Sequence, residues 1–278
     1  MQEICLNLSE IFPALMKEYC TADDLVSVFR QTKGIRQISR MYIGSSFCGT
    51  YFLSTVKETV DLLYPWCEEN GISLSLNIPV FHQDQLLPGK RCIEEVHNRI
   101  DEFVVNDYGM LLHLLRFSDW HLRLGRLMFK KTRDPRYRTY TEQTTLIEIP
   151  DELRQYPQIC GFDIDSIANS LRISEPVEAD TVGVYIGLTY MTTGNICTYK
   201  SMTAHPFQKF HCSQSCCQLQ CNDLYLRYTS EQELSFYRIG KTMFYKNDTA
   251  ADISFPCRLI YSPFELWECK HEYISSSQ

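Results

Sequence analysis

The sequence predicts an α/β protein built on a parallel sheet, open or closed into a barrel, with an elaborated C-terminal third. Three observations carry this. From about residue 34, short runs rich in branched and aromatic residues alternate with amphipathic stretches of helical period, the pattern of repeated βα units. Glycine-containing turn signals fall where such units change direction. Beyond residue 221 the texture changes to apolar–polar alternation around short turns, as in antiparallel hairpins.

The elements follow in order. "RQISRMYIGSS" reads as a strand ending in the turn Gly44-Ser45-Ser46. "TYFLSTVKETVDLLYPWCEENG" places Phe52, Val56, Val60 and Leu63 at helical spacing, with Gly71 as its stop. "ISLSLNIPVF" is a strand, "GKRCIEEVHNRI" a helix, "DEFVVND" a strand and "YGMLLHLLRF" a helix. After the short apolar stretch "HLRLGRLMF", "QICGFDID" and "TVGVYIGLTYM" read as two further strands, with one or two helical turns expected in "DSIANSL". "DLYLRYTSEQELSFYRIGKTMFYKNDTA" supplies the hairpins.

The chain has 278 residues, of which 44 % are apolar and 22 % charged, so it can bury a core. No window reaches the ~18 uninterrupted apolar residues of a spanning helix. No linker-like composition interrupts it, and one barrel-like domain is expected over 1–278, with a cysteine-rich insertion at about 197–221. The N-terminus lacks a basic region followed by an apolar run, so a cytoplasmic location is expected. A net charge of −7 argues against a broad nucleic-acid face and does not exclude a local one. In "KKTRDPRYR", Lys130, Lys131, Arg133, Arg136 and Arg138 read either as a solvated loop or as a clamp for an anionic substrate.

Thirteen cysteines are present, and reduced thiols in the cytosol that cluster together point to metal binding or catalysis. Cys5, Cys20, Cys67, Cys92, Cys160, Cys257 and Cys269 stand singly and read as small buried hydrophobes. Cys48 follows a strand end, where parallel α/β folds build their sites. The dense group is Cys197, Cys212, Cys216, Cys217 and Cys221. Cys212-x3-Cys216 and Cys217-x3-Cys221 can be set out as two zinc-binding pairs, with His205 and His211 nearby. An iron–sulfur cluster is the other reading, with Cys197, Cys212 and Cys216 as a local triad and a distant fourth thiolate. His82, His97, His113 and His121 show no metal spacing with one another.

"MYIGSSFC" together with "CTYKSMTAHPFQKFHCSQSCC" resembles the collagenase-like peptidase family, peptidase family U thirty-two, and most of all its short UbiU/UbiV-type members, which are ubiquinone-biosynthesis accessory proteins. "FVVNDYGML", "LGRLMFKKTRDPR", "YMTTGNIC" and "FYRIGKTMFY" extend the likeness over roughly residues 35 to 245. The resemblance implies a TIM-barrel-like (β/α) barrel, complete or incomplete, and a four-iron, four-sulfur (4Fe–4S) cluster held by Cys48, Cys197, Cys212 and Cys216. It also implies a role in oxygen-independent hydroxylation or a related modification, as half of a hetero-oligomer with a longer relative and acting on a small-molecule substrate.

From their position near the strand ends, Ser45, Asn77, Asn106, Asp107, Arg126, Asp163 and Tyr190 are candidate substrate contacts. Asn106-Asp107-Tyr108-Gly109 reads equally as a turn with a helix cap. Asp163 and Asp165 read as pointing to opposite faces of their strand, so at most one is expected to face a site. A non-catalytic cluster-bearing partner is the alternative function, its mark being a barrel mouth blocked by Tyr185, Tyr190, Phe207 and Phe210. A peptidase ranks last, because no nucleophile–base pair or protease motif is legible, and a structural zinc protein is the remaining alternative.

Overall fold

A computed structural model describes residues 3–129, 134–137, 144–147, 151–166, 170–173, 182–203, 217–229, 234–247 and 256–268. The strands are β1 (Ile4–Asn7), β2 (Arg40–Gly44), β3 (Ser73–Ile78), β4 (Glu102–Val105), β5 (Leu122–Leu124), β6 (Thr144–Ile147), β7 (Ile159–Asp165), β8 (Ser170–Ile173), β9 (Val182–Thr193), β10 (Leu226–Thr229), β11 (Ser235–Ile239), β12 (Thr242–Asn247) and β13 (Arg258–Tyr261). The helices are α1 (Phe12–Glu18), α2 (Ala22–Lys33), α3 (Gly49–Asn70), α4 (Leu86–Val96), α5 (Tyr108–Leu114), α6 (Asp151–Arg154), α7 (Thr198–Thr203) and α8 (Phe264–Glu268). Among the described residues, no helix is long and apolar enough to cross a membrane.

Eight parallel strands close into a barrel in the order β1-β2-β3-β4-β5-β7-β9-β13, with β13 returning to β1. The fold is therefore a TIM-like α/β barrel, and it is closed rather than incomplete. The predicted strands fall on β2, β3, β4, β7 and β9. "HLRLGRLMF" contributes the three-residue β5. The helical turns expected in "DSIANSL" are not realised where the chain is described: Ser170 and Leu171 open strand β8, which pairs in parallel with β6, and residues 167–169 lie outside the described residues.

Each long helix follows its sequence signal. α3 buries Phe52, Val56, Val60, Leu63 and Cys67 as one stripe, and Gly71 ends it in the left-handed region with its N–H directed to Cys67 and Glu68 carbonyls. In α2, the Thr21 hydroxyl accepts from the Asp24 N–H at 3.1 Å and so caps the first turn. α4 starts at Leu86, earlier than the charged run suggested, and ends in a 3-10 turn at His97–Arg99.

The main core lies between helices and barrel, while Cys5, Tyr42, Val104, Tyr185 and Ile260 form a separate apolar cluster. Towards the amino ends of the strands there is a buried ionic layer. The Glu102 carboxylate lies 2.5 Å from Arg258 Nη1, 3.6 Å from Arg40 Nη1 and 3.8 Å from Arg123 Nε. Glu3 lies 3.0 Å from Arg40 Nε and 2.8 Å from Arg258 Nε, and Asp163 accepts from Arg123 Nε and Nη2 at 3.0 and 2.7 Å. Three guanidinium groups thus face three carboxylates, the pairing that buried charge requires. Burial alone would raise the Glu102 pKa, but the surrounding Arg123, Arg258 and Arg40 hold it below the usual carboxylate range.

Strand period corrects one expectation. Residues two apart share a face of a strand, and both Asp163 and Asp165 are buried, each paired with an arginine, Asp165 with Arg126 at 2.9 Å.

Strand β9 serves two sheets. Gly183 to Ile186 pair with β13 inside the barrel, whereas Gly187 to Thr193 pair antiparallel with β12. The change falls at Gly187, whose φ of 98° suits glycine and whose missing side chain leaves room for Ser262. β12 continues through β11 to β10 as the predicted antiparallel elaboration.

Candidate functional site

The loop after β2 is assembled by short polar contacts at the carboxyl end of the barrel. Ser45 N–H donates to the Asn77 carbonyl at 3.1 Å, and the Ser45 hydroxyl accepts from the N–H groups of Phe47 and Cys48 at 3.2 and 2.9 Å. The Glu10 carboxylate accepts from the Ser46 N–H. Glu10 itself has a left-handed backbone, φ 69°, uncommon for a residue with a side chain. The outcome is that Cys48 becomes the N-cap of the 22-residue α3, where unpaired N–H groups and the helix dipole favour a thiolate.

Cys48 faces a cavity of about 60 Å³, several times what one water needs. Cys197, Cys217 and Cys221 line the same cavity, so four thiols meet there from three distant parts of the chain. Cys197 precedes α7, which is docked on β11 by the Tyr199 hydroxyl donating to the Arg238 carbonyl at 2.5 Å. Cys221 lies in the 3-10 turn Gln220–Asn222. Gly240 and Lys241 form the turn between β11 and β12, and the turn packs close to Cys221: a carbon added at Gly240 would stand 3.8 Å from Cys221 Cβ. Other cavity-lining side chains are Glu10, Tyr51, His82, Gln85, Lys200 and Lys241.

Burial dominates the electrostatics. It pushes the Cys48, Cys217 and Cys221 thiols up, and for Cys221 well above the ordinary range, with the neighbouring thiolates adding to the rise at all three. Lys241 opposes the rise at Cys48, and Lys200 opposes it at Cys217. Burial also raises Glu10, against the pull of Arg126. Such a group of thiols is costly to ionise together unless a cation compensates them. All ten cysteines among the described residues are free thiols. Among the described residues, no three His, Cys, Asp or Glu side chains converge tightly enough to hold a single ion.

The structure distributes the sequence-predicted residues as follows. Cys48 and Cys197 line the cavity; Cys212 and Cys216, like His205, His211, Phe207, Phe210 and Cys269, lie outside the described residues. None of the seven substrate candidates lines it. Ser45 shapes the Cys48 loop. Asn77 donates to the Ser9 hydroxyl at 2.7 Å and accepts from Tyr185 at 3.2 Å. Asn106 latches two strand ends, donating to the Ile78 carbonyl and accepting from the Leu127 N–H, both at 3.1 Å. Asp107 caps α5 by accepting from the Met110 N–H at 2.7 Å. Asp163 belongs to the ionic layer.

Arg126 and Tyr190 meet in the barrel mouth. The Arg126 guanidinium stands 4.0 Å from the Tyr185 ring centre, 4.9 Å from Phe47, 5.7 Å from Tyr190 and 6.0 Å from Phe244. All five side chains are buried, and the Tyr190 hydroxyl donates to the Arg126 carbonyl. Of the basic run, Arg136 pairs with Asp134 at an exposed position, and Lys130, Lys131, Arg133 and Arg138 lie outside the described residues.

Sequence reasoning passed over Glu10, Lys200 and Lys241, read His82 only as a histidine without metal spacing, and set Cys217 and Cys221 out only as a zinc-binding pair. The signal for the two cysteines was there: Cys217-x3-Cys221 repeats the spacing of Cys212-x3-Cys216. Cys20 and Cys160, expected inside, are exposed, whereas Cys5, Cys67 and Cys257 are buried.

The chain matches no family model, no curated protein and no solved structure.

Proposed function

We propose that the chain is an iron–sulfur protein in which Cys48, Cys197, Cys217 and Cys221 hold a four-iron, four-sulfur cluster at the carboxyl end of the barrel. The observation that carries this reading is the convergence of those four thiols on one cavity. A four-metal cluster takes one thiolate at each of its irons, so the thiols need not meet at a point as they must around one zinc ion. The donor set is all sulfur, as such clusters require. This set shares Cys48 and Cys197 with the one the sequence resemblance implies and takes Cys217 and Cys221 from the described residues, outside which Cys212 and Cys216 lie.

When bound, a cluster with four thiolate ligands supplies one-electron transfer rather than an open coordination site. The protein's own residues partly bury the four cysteines, cap α3 with Cys48 and place Lys200 and Lys241 beside them. The role that fits is electron relay in an oxygen-independent hydroxylation or a related modification in the cytoplasm, with a longer relative as the partner. Anaerobic purification followed by iron, acid-labile sulfide and zinc analysis tests it. Iron and sulfide in equal amounts support the reading, and stoichiometric zinc without iron sinks it.

A second reading is favoured by the filled barrel mouth. Among the described residues Arg126 is enclosed by Phe47, Tyr185, Tyr190 and Phe244, which fill the barrel mouth, and in this reading the chain serves as a cluster-bearing partner while its companion performs the chemistry. His82→Ala and Lys241→Ala separate the two. Both variants reduce the activity of the assembled complex at unchanged iron content if substrate approaches the cluster beside them, and leave it intact if the companion alone binds substrate.

A further inference from the structure

Lys241 stands in the tight turn between β11 and β12 and lines the four-thiol cavity. The turn is fixed from two sides by segments that carry the cysteines. On one side the Lys241 carbonyl accepts from the Gly194 N–H at 3.1 Å, in the stretch that leads from β9 to Cys197, and the hydroxyls of Thr242 and Thr193 meet at 2.9 Å. On the other side Gly240, with φ 58°, packs close to Cys221.

The Lys241 side chain is half-buried, and its ammonium group has neither an ion pair nor a hydrogen bond among the described residues. Lys17, Lys33, Lys57 and Lys246, by contrast, each meet an acidic side chain. What the Lys241 charge does reach is Cys48, where it is the strongest influence favouring the thiolate. The other charged side chains that line the cavity are Lys200, which favours the thiolate of Cys217, and Glu10, which is held by the Ser46 N–H. A lysine fixed beside four thiols, with no acid to neutralise it, leaves its charge acting on whatever the thiols bind.

We infer, resting on the cluster reading above, that the Lys241 ammonium is the counter-charge of the bound cluster and holds its reduction potential up. Four thiolates outweigh the positive charge of a four-iron core, so the cluster is an anion, and reduction makes it more so. Reduction adds one electron and neither forms nor breaks a bond. A fixed positive charge nearby stabilises the more negative, reduced state more than the oxidised one. Lys241 is thus a positioning residue that acts through its field; it ligates no iron and gives up no proton.

The test is a potentiometric titration of the anaerobic protein, with dithionite giving one electron to each cluster, read by electron paramagnetic resonance at low and at high salt. Lys241→Gln removes the charge. The expected result is unchanged iron content and a midpoint more negative than that of wild type, with a gap that narrows as salt screens the lysine. Lys241→Arg keeps the charge and returns the midpoint towards the wild-type value, which a purely structural role of the side chain would not produce. Acetyl-lysine placed at position 241 keeps the stem and loses the charge, and it carries the test should Lys241→Gln fail to hold iron. Turnover is not the readout, because the potential of a relay can move while the rate is limited elsewhere. An iron-loaded neutral variant with the wild-type midpoint would overturn the inference and leave the cluster reading intact. Loss of iron from both neutral variants would make Lys241 a builder of the site and would equally overturn it. Wild-type protein without iron would overturn both readings.

Discussion

Cys217 and Cys221 show how much hangs on single residues. Six cysteines compete for four ligand places, and the two Cys-x3-Cys pairs are indistinguishable by spacing. Only the folded chain brings the second pair to the cavity with Cys48 and Cys197. Cys221→Ala should therefore lose most of the bound iron, measured after anaerobic purification, without preventing the barrel from folding. Glu10 makes a second prediction at this scale, from the desolvation that raises its pKa against Arg126. A carboxyl with a raised folded pKa contributes stability that is present below its unfolded pKa and lost as pH rises through the folded one. Glu10→Gln cannot ionise and still accepts from Ser46. Its melting temperature should therefore exceed that of wild type at neutral pH, and the difference should shrink towards acid; each pKa unit of displacement is worth about 1.4 kcal/mol.

Elements with a full period were legible, and short ones were not. α3 announced itself through four apolar residues on one stripe and a terminal glycine, and β2, β3, β4, β7 and β9 through their branched runs. β1 and β13 were not singled out in the sequence, and they acquire strand geometry from the neighbours that pair with both their edges. The bend in β9 was equally hidden, since nothing in "TVGVYIGLTYM" distinguishes the glycine at 187 from the one at 183 until φ is seen. Gly187→Ala places a side chain in a left-handed backbone and within 3.3 Å of the Ser262 carbonyl oxygen. It should cost about 1–3 kcal/mol in denaturant unfolding, and it should loosen the β9–β12 sheet that carries the Lys241 turn.

At the scale of the molecule, the ionic layer ties Glu3, just before β1, to β2, β4, β5, β7 and β13. Breaking it on one side leaves an unpaired buried charge, so Arg258→Met should destabilise the protein by about 3–5 kcal/mol, read from the denaturation midpoint. Glu102 sets the pH dependence with the opposite sign to Glu10. Its depressed folded pKa contributes stability present above the unfolded carboxylate value of about 4.3 and lost as pH falls through the folded value. The sequence showed the acidic and basic residues of this layer only as isolated charges in strands; barrel closure is what makes them partners. The same closure brings the loop after β2 to the cysteines that lie beyond β9, and the account stands or falls on what that meeting holds. The most direct measurement is the visible absorption and iron content of anaerobically purified wild type beside Cys48→Ala. The account predicts a broad iron–sulfur absorption and roughly four irons per chain in the wild type, both lost in the variant. A colourless wild type, or a Cys48→Ala protein with its iron intact, would contradict it.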